Sequence, residues 1–269
     1  MLSSSAVFDR DGLQISDVRC RHPAGRGRHT ELSEVRALVF VRRGCFVRSV
    51  DGVESLLDST VAYAMNPGEE QRFDHPHCEG DDCTTLTLTD ELSASLHGGV
   101  PLLGGFPVPV PAWLDLEHRL LLARAGRGAD AHELFEHGIV IAASLLEVSD
   151  PRALASGKPQ TVLARRALVD GAREALAAQP ELSLLELARR LAVSPHHLSR
   201  IFRQATGVTV SRHRLRLRVR EALERLGGGE RDLARLAAEL GLTDQSHLCR
   251  VVRSETGHTP AALRRALAS

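Results

Sequence analysis

The chain has 269 residues, 43% hydrophobic and 25% charged, a balance that suits two globular domains and excludes a wholly disordered or collagen-like polymer. Its formal charge is zero, yet residues 160–269 hold 19 Arg against 11 acidic residues while residues 1–159 hold 15 basic against 23 acidic. A basic half joined to an acidic half predicts a polyanion-binding module carried by a different kind of domain; the competing reading is a merely well-solvated surface.

Residues 1–11 lack a basic stretch followed by an apolar run, which predicts a cytoplasmic location. Five cysteines (Cys20, Cys45, Cys78, Cys83, Cys249) in such a chain predict thiols or a metal site in preference to a disulfide framework. From 34 to 88 the pattern is that of short strands, with Val35, Ala37, Val39 and Val41 alternating with Arg36, Leu38, Phe40 and Arg42. Asp51-Gly52 predicts a hairpin between 46–50 and 53–57, Asn66-Pro67-Gly68 another turn, and 84–89 a period-two strand, together a small antiparallel barrel. The longest uncharged stretch, 92–114, contains Pro101, Pro107, Pro109 and Pro111 and four glycines, so it is no membrane helix and reads as a linker.

Residues 113–125 and 131–146 have helical periodicity and are separated by Gly126-Arg127-Gly128, a helical hairpin. The second is apolar on much of its circumference (Leu134, Phe135, Ile139, Val140, Ile141, Leu145, Leu146), which predicts packing against the barrel or a second subunit. Residues 149–160 read as a second linker, and from 161 onward almost everything favours helix.

His75-Pro76-His77-Cys78 and Cys83, with Cys20 within reach of a barrel, place thiol and imidazole donors together. Cys20, His75, His77, Cys78 and Cys83 are therefore candidate ligands for zinc or another thiolate- and imidazole-bound metal. The spacing matches no zinc finger, and the competing reading has His75 and His77 capping a surface loop with Cys78 and Cys83 as small buried side chains.

Sliding the basic half on itself by 50 residues superimposes 197–209 on 247–259 with seven of thirteen positions identical. Each copy is preceded by a helical stretch, 184–191 and 233–240, and a short turn. Ser194 and Asp244 suit the N-caps of the following helices, and Gly207 and Gly257 their C-terminal stops. Helix, turn, helix is the unit whose second helix enters the major groove, and here it occurs twice. In the first copy Leu198, Ile201 and Phe202 share one face, leaving His196, Ser199, Arg200 and Arg203 on the other. In the second, Leu248, Val251 and Val252 face inward and leave Gln245, Ser246, Cys249, Arg250 and Arg253. Arg can read guanine and Gln adenine through paired hydrogen bonds, while flanking Arg neutralise phosphate. A single helix between the copies, 209–226, about 25 Å long, can hold two reading heads near one DNA turn apart.

Residues 161–269 resemble the tandem helix-turn-helix domain of the AraC/XylS family of transcription regulators through Leu236-Ala237, Gly241, 244–248, Arg250, Gly257 and Thr259-Pro260. The resemblance implies an α+β multidomain fold: a cupin-like antiparallel sensing barrel over 1–105, a helical dimerisation hairpin and linker over 106–159, and the DNA-binding domain over 160–269. It places His196, Ser199 and Arg200 in the first set of base-reading positions and Gln245, Ser246, Cys249 and Arg250 in the second. It further implies an effector-responsive activator, with promoter DNA, RNA polymerase, a small-molecule or metal effector and a second copy of the chain as partners, and no membrane. His213 and Leu263 stand where the family usually has an aromatic, Val210 where proline is common and Val252 where phenylalanine is, all read as core variations. His197 and His247 are read as packing histidines. An alternative is a cupin-type metal enzyme or a metal or redox sensor fused to a DNA-binding domain. His75, His77 and Glu79 begin the cupin metal pattern, but its later strand histidine is missing, so no enzyme is expected. A DNA-repair methyl acceptor would need close Cys pairs, which Cys20, Cys45, Cys78 and Cys83 do not form.

Overall fold

The computed structural model describes residues 2–21, 29–75, 80–148 and 159–268. The expected linker over 149–160 lies almost wholly outside them, as do His77, Cys78 and Glu79.

Strands begin earlier than position 34. β1 (Leu2–Arg10) and β2 (Leu13–Cys20) form a hairpin about Asp11-Gly12, both at positive φ (53° and 84°), the backbone that a two-residue primed turn requires. β1 gives no apolar alternation to detect because it is exposed along most of its length, with Phe8 its one buried residue. There follow β3 (His29–Leu32), β4 (Arg36–Arg43), β5 (Cys45–Val50), β6 (Val53–Asp58), β7 (Val61–Met65), β8 (Glu70–Asp74) and β9 (Asp81–Leu88). With β10 (Val108–Pro109) they make two antiparallel sheets, in the orders β1-β2-β9-β4-β7-β10 and β3-β8-β5-β6. The β5–β6 hairpin turns on Asp51-Gly52 as expected.

Val39, Val41, Phe46, Leu57, Tyr63, Phe73 and Cys83 pack between the sheets. The other face of the larger sheet carries Leu13, Ile15, Leu38, Phe40 and Leu86 into a second core against helices. Both faces of β4 are thus covered, which is why 37–41 is apolar at every position rather than at alternate ones.

The stretch read as a linker belongs to the barrel. It folds as α1 (Asp90–His97), a 3₁₀ turn (Leu102–Gly105) and β10, which pairs with β7. Leu102 is fully buried and its N–H donates to Asn66 Oδ1 at 2.7 Å. Proline punctuates this segment because an edge strand tolerates a residue without an N–H, not because the segment is solvated.

α2 (Ala112–Gly126) and α3 (Ala131–Val148) form the expected hairpin. α3 lies on the barrel, where a Cβ at Gly138 would meet Leu13 Cδ2 at 2.6 Å. No helix among the described residues is long and apolar enough to cross a membrane.

The basic half is all helix: α4 (Pro159–Ala178), α5 (Leu184–Arg190), α6 (Pro195–Thr206), α7 (Val210–Gly227), α8 (Leu233–Glu239), α9 (Gln245–Thr256) and α10 (Pro260–Leu267). α4 to α6 close one core around Ala172, Leu187, Leu198 and Phe202; α7 to α10 close another around Leu223, Leu236, Leu248 and Val252, to which α2 adds Leu116. Val210, Val252 and Leu263 are buried core members, in line with their reading as core variations.

Candidate nucleic-acid interface and barrel cavity

The two helix-turn-helix units are built by the same local chemistry. Ser183 and Glu186 form a capping box at the start of α5, and Asp232 caps α8 by accepting from the Arg235 N–H. Ser194 accepts from the His197 N–H and Asp244 from the His247 N–H, starting α6 and α9. Gly207 (φ 72°) and Gly257 (φ 77°) end them in the left-handed conformation. α6 buries Leu198, Ile201 and Phe202, and α9 buries Leu248, Val251 and Val252.

The opposite faces reach solvent. His196, Arg200 and Arg203 on α6 and Gln245, Ser246, Arg250 and Arg253 on α9 are exposed, with Ser199 and Cys249 half-buried beside them. Among the described residues no carboxylate lies within ion-pair distance of Arg200, Arg203, Arg250 or Arg253, whereas Arg212 and Arg216 on α7 both pair with Glu255. Four guanidiniums left without acidic partners, at equivalent positions of two like-built helices, form a cationic surface with directional donors. α7 joins the units with 18 residues, a rod of about 27 Å. Of the histidines that open the repeat, both read as packing residues, His197 differs from that reading and His247 fits it. His197 is exposed and within 3.4 Å of Arg200 Nη2, and His247, half-buried, receives Thr243 of the preceding turn.

Residues 187–266 match the family model of a helix-turn-helix domain. The C-terminal region is thus a helix-turn-helix domain. No curated protein matches the chain. Among solved structures it is similar to ToxT from Vibrio cholerae (10% identity, 96% of this chain and 100% of that one, TM-score 0.36). It is also similar to unsaturated fatty acid-bound ToxT from Vibrio cholerae strain SCE256 (10%, 97% and 100%, TM-score 0.38). A third is the cupin domain of Cnp3 from Schizosaccharomyces pombe (15%, 36% and 71%, TM-score 0.30).

The helix-turn-helix domain is docked on the barrel along α7 through polar groups that no sequence motif marks. His213 is buried edge-on against Phe202 (5.3 Å between ring centres), with Nε2 3.8 Å from Asp58 Oδ2 at the end of β6. Arg173 of α4 donates Nε to Asp58 Oδ2 at 3.0 Å, places Nη2 2.9 Å from Oδ1, and donates Nη1 to the Leu56 carbonyl at 3.0 Å. Arg220 donates to the Val110 carbonyl at 2.7 Å and lies 3.3 Å from Asp115 of α2. Glu224 accepts from Arg119 Nη1 at 2.6 Å, and Arg119 also donates to the Arg42 carbonyl in β4 at 2.8 Å. Burial alone would raise the Asp58 and Asp115 carboxyls. The guanidiniums of Arg173 beside the first, and of Arg119 and Arg220 beside the second, outweigh it and hold both well below the ordinary range. Burial pushes His213, and His118 stacked on Phe40, down to about 4, so both are neutral near pH 7. His213, a substitution for an aromatic when judged by sequence, is therefore also an interface residue.

Between the sheets is a cavity of about 260 Å³ lined by Val39, Tyr63, Phe73 and the polar group Cys20, His75, Asp81 and Cys83. Cys20 lies opposite Asp81 in the β2–β9 register. His75 Nε2 is 2.6 Å from Asp81 Oδ1, and Cys83 Sγ donates to Asp81 Oδ2 at 3.2 Å. Of the expected metal ligands, then, Cys20, His75 and Cys83 come together, and His75 is buried rather than capping a surface loop. Asp81, the hub of the cluster, had no signal to separate it from Asp74 and Asp82 nearby. Cys20, Cys83 and Cys249 are free thiols and Cys45 is disulfide-bonded, so the expectation of thiols holds for the first three. Burial, and then the charge of Asp81, push the Cys20 thiol up to about 11 and that of Cys83 well above its usual value.

Proposed function

We propose that this DNA-binding transcriptional regulator reads two successive major grooves on one face of promoter DNA. His196, Ser199 and Arg200 of α6 and Gln245, Ser246, Cys249 and Arg250 of α9 are its base-reading groups, with Arg203 and Arg253 on phosphate. The observation that carries this reading is the pair of equivalent exposed helix faces whose arginines have no acidic partner among the described residues. The barrel cavity takes a small-molecule or metal effector, and the cytoplasmic protein acts as a homodimeric activator that engages RNA polymerase. Exposed Trp113, Val140 and Val148 on α2 and α3 support the hairpin as the dimer face.

The docking of α7 supports a mechanism. Asp115 and Arg119 hold the rod between the heads and Asp58 holds α4 of the first head, so an effector with different affinities for the docked and released arrangements shifts the spacing of the two reading helices. The test is capture of fragmented host genomic DNA by the full chain near physiological salt, followed by sequencing. Enrichment of two short boxes about one helical turn apart, lost in the Arg200→Ala/Arg250→Ala double variant, is the expected result. Equal retention of all sequences by both proteins overturns the base-reading assignment.

A further inference from the structure

We propose that Cys20, His75 and Asp81 form a binding site for a divalent ion of the zinc class at the polar end of the barrel cavity. The three side chains are all buried, and one donor atom from each lies within 4.8 Å of the other two. They come from three elements, the end of β2, the residue after β8 and the start of β9.

Backbone packing builds the place. Gly80 has φ 102°, and a Cβ there would stand 2.0 Å from the Cys20 carbonyl oxygen; a Cβ at Gly44 would stand 2.3 Å from the Gly80 carbonyl oxygen. Two positions where only glycine fits press β2, the β4–β5 turn and β9 together, and this contact sets Cys20 beside Asp81.

The charge of Asp81 is the second, independent observation. Of the buried aspartates, Asp58 faces Arg173, Asp82 faces Arg21 and Arg43, and Asp115 faces Arg119 and Arg220. Asp81 is buried too, yet no guanidinium lies within ion-pair distance of its carboxylate among the described residues; Arg21 reaches only its backbone carbonyl, at 3.3 Å. Its side-chain partners are an imidazole and thiols, the donors of a transition-metal site. A cation shared among them supplies the countercharge that arginine supplies elsewhere.

The donor set selects the ion. One sulfur, one nitrogen and one carboxylate oxygen suit zinc and exclude calcium and magnesium, which take oxygen ligands. On binding, Cys20 loses its proton to water and ligates as thiolate, and the 2.6 Å contact between His75 and Asp81 opens to about 3.3 Å, the donor separation of a tetrahedral zinc. Three protein ligands leave the fourth position to a water or ligand atom from the cavity. Cys83, bonded to the other oxygen of Asp81, orients the carboxylate.

The experiment uses the untagged full chain, purified under reducing conditions, stripped with chelator and titrated with zinc and then with cobalt(II). Elemental analysis is expected to find one zinc per chain, and cobalt to give a thiolate charge-transfer band in the near ultraviolet. Cys20→Ser removes that band, Asp81→Asn and His75→Gln each weaken zinc about tenfold or more, and Cys249→Ser changes neither. Circular dichroism identifies any variant that fails to fold, and the wild-type cobalt spectrum stands without them. Less than one-tenth of an equivalent of zinc, a cobalt spectrum without thiolate character, or unchanged binding in folded Cys20→Ser and Asp81→Asn overturns the proposal. None of these readouts depends on DNA binding.

Discussion

Asp58 and Arg173 form a two-pronged ion pair across the contact between the barrel and the first reading head, and both are almost fully buried. Replacing Arg173 with Met keeps the stem that packs under β6 but leaves the Asp58 carboxylate with the Thr60 N–H at 2.8 Å and the Thr60 hydroxyl at 2.6 Å as its remaining close donors. Removing one partner of a buried pair costs about 3 to 5 kcal/mol, and the Thr60 bonds place this loss near the lower end, about 3 kcal/mol. Asp58→Asn leaves the guanidinium with the Leu56 carbonyl and Asp170 and costs a similar amount, about 3 kcal/mol. The double variant has no uncompensated charge to bury, so its cost falls short of the sum by about 2 to 3 kcal/mol. Hydrogen exchange of peptides from β6 and α4 in the full chain reads the opening free energy of this contact directly, without assuming that two domains unfold as one. Additive single costs, with a coupling below about 0.5 kcal/mol, would refute the claim that the pair holds the head to the barrel.

Neutral His118 and His213 make the docked state sensitive to acid. Their folded-state values of about 4 lie below the ordinary 6.5, so the unfolded chain takes up protons first and stability is lost as pH falls from about 6.5 to about 4. Each contributes on the order of 3 kcal/mol over that range, and His213→Phe, which keeps a ring against Phe202, is expected to reduce the drop in melting temperature between pH 7.5 and 5; an unchanged drop removes His213 from the account. Arg200→Ala or Arg250→Ala should weaken specific DNA binding by about 1 to 3 kcal/mol in a gel-shift titration, and unaltered affinity in both would remove them as base readers. Gly44→Ala adds a Cβ to a residue at φ 83° against the Gly80 carbonyl and is expected to cost about 2 to 4 kcal/mol, whereas Gly52→Ala at φ 75°, with open space around it, costs about 1; equal melting temperatures would refute the steric reasoning.

The two helix-turn-helix units were legible in the sequence because what builds them is local. Ser194, Asp244, Gly207 and Gly257 act on their own helix ends, and the 3.6-residue period that buries Leu198 and Leu248 leaves Arg200 and Arg250 outside. The Asp51-Gly52 hairpin and the α2–α3 pair were legible for the same reason. The segment 92–114 misled because proline and glycine report only that a regular element is interrupted, whereas Leu102 and Val108 are buried by β7 and the helices packed on the larger sheet.

What the sequence by itself determined is the pair of helix-turn-helix units and the antiparallel character of the first half, since caps, turns and periodicity act over a few residues. Only the tertiary structure decided that Asp81 joins Cys20 and His75, that Asp58 receives Arg173, and that His213 is an interface residue. These pairings join residues as far as 155 positions apart, and a charge or thiol carries no mark of its partner until folding removes the water between them.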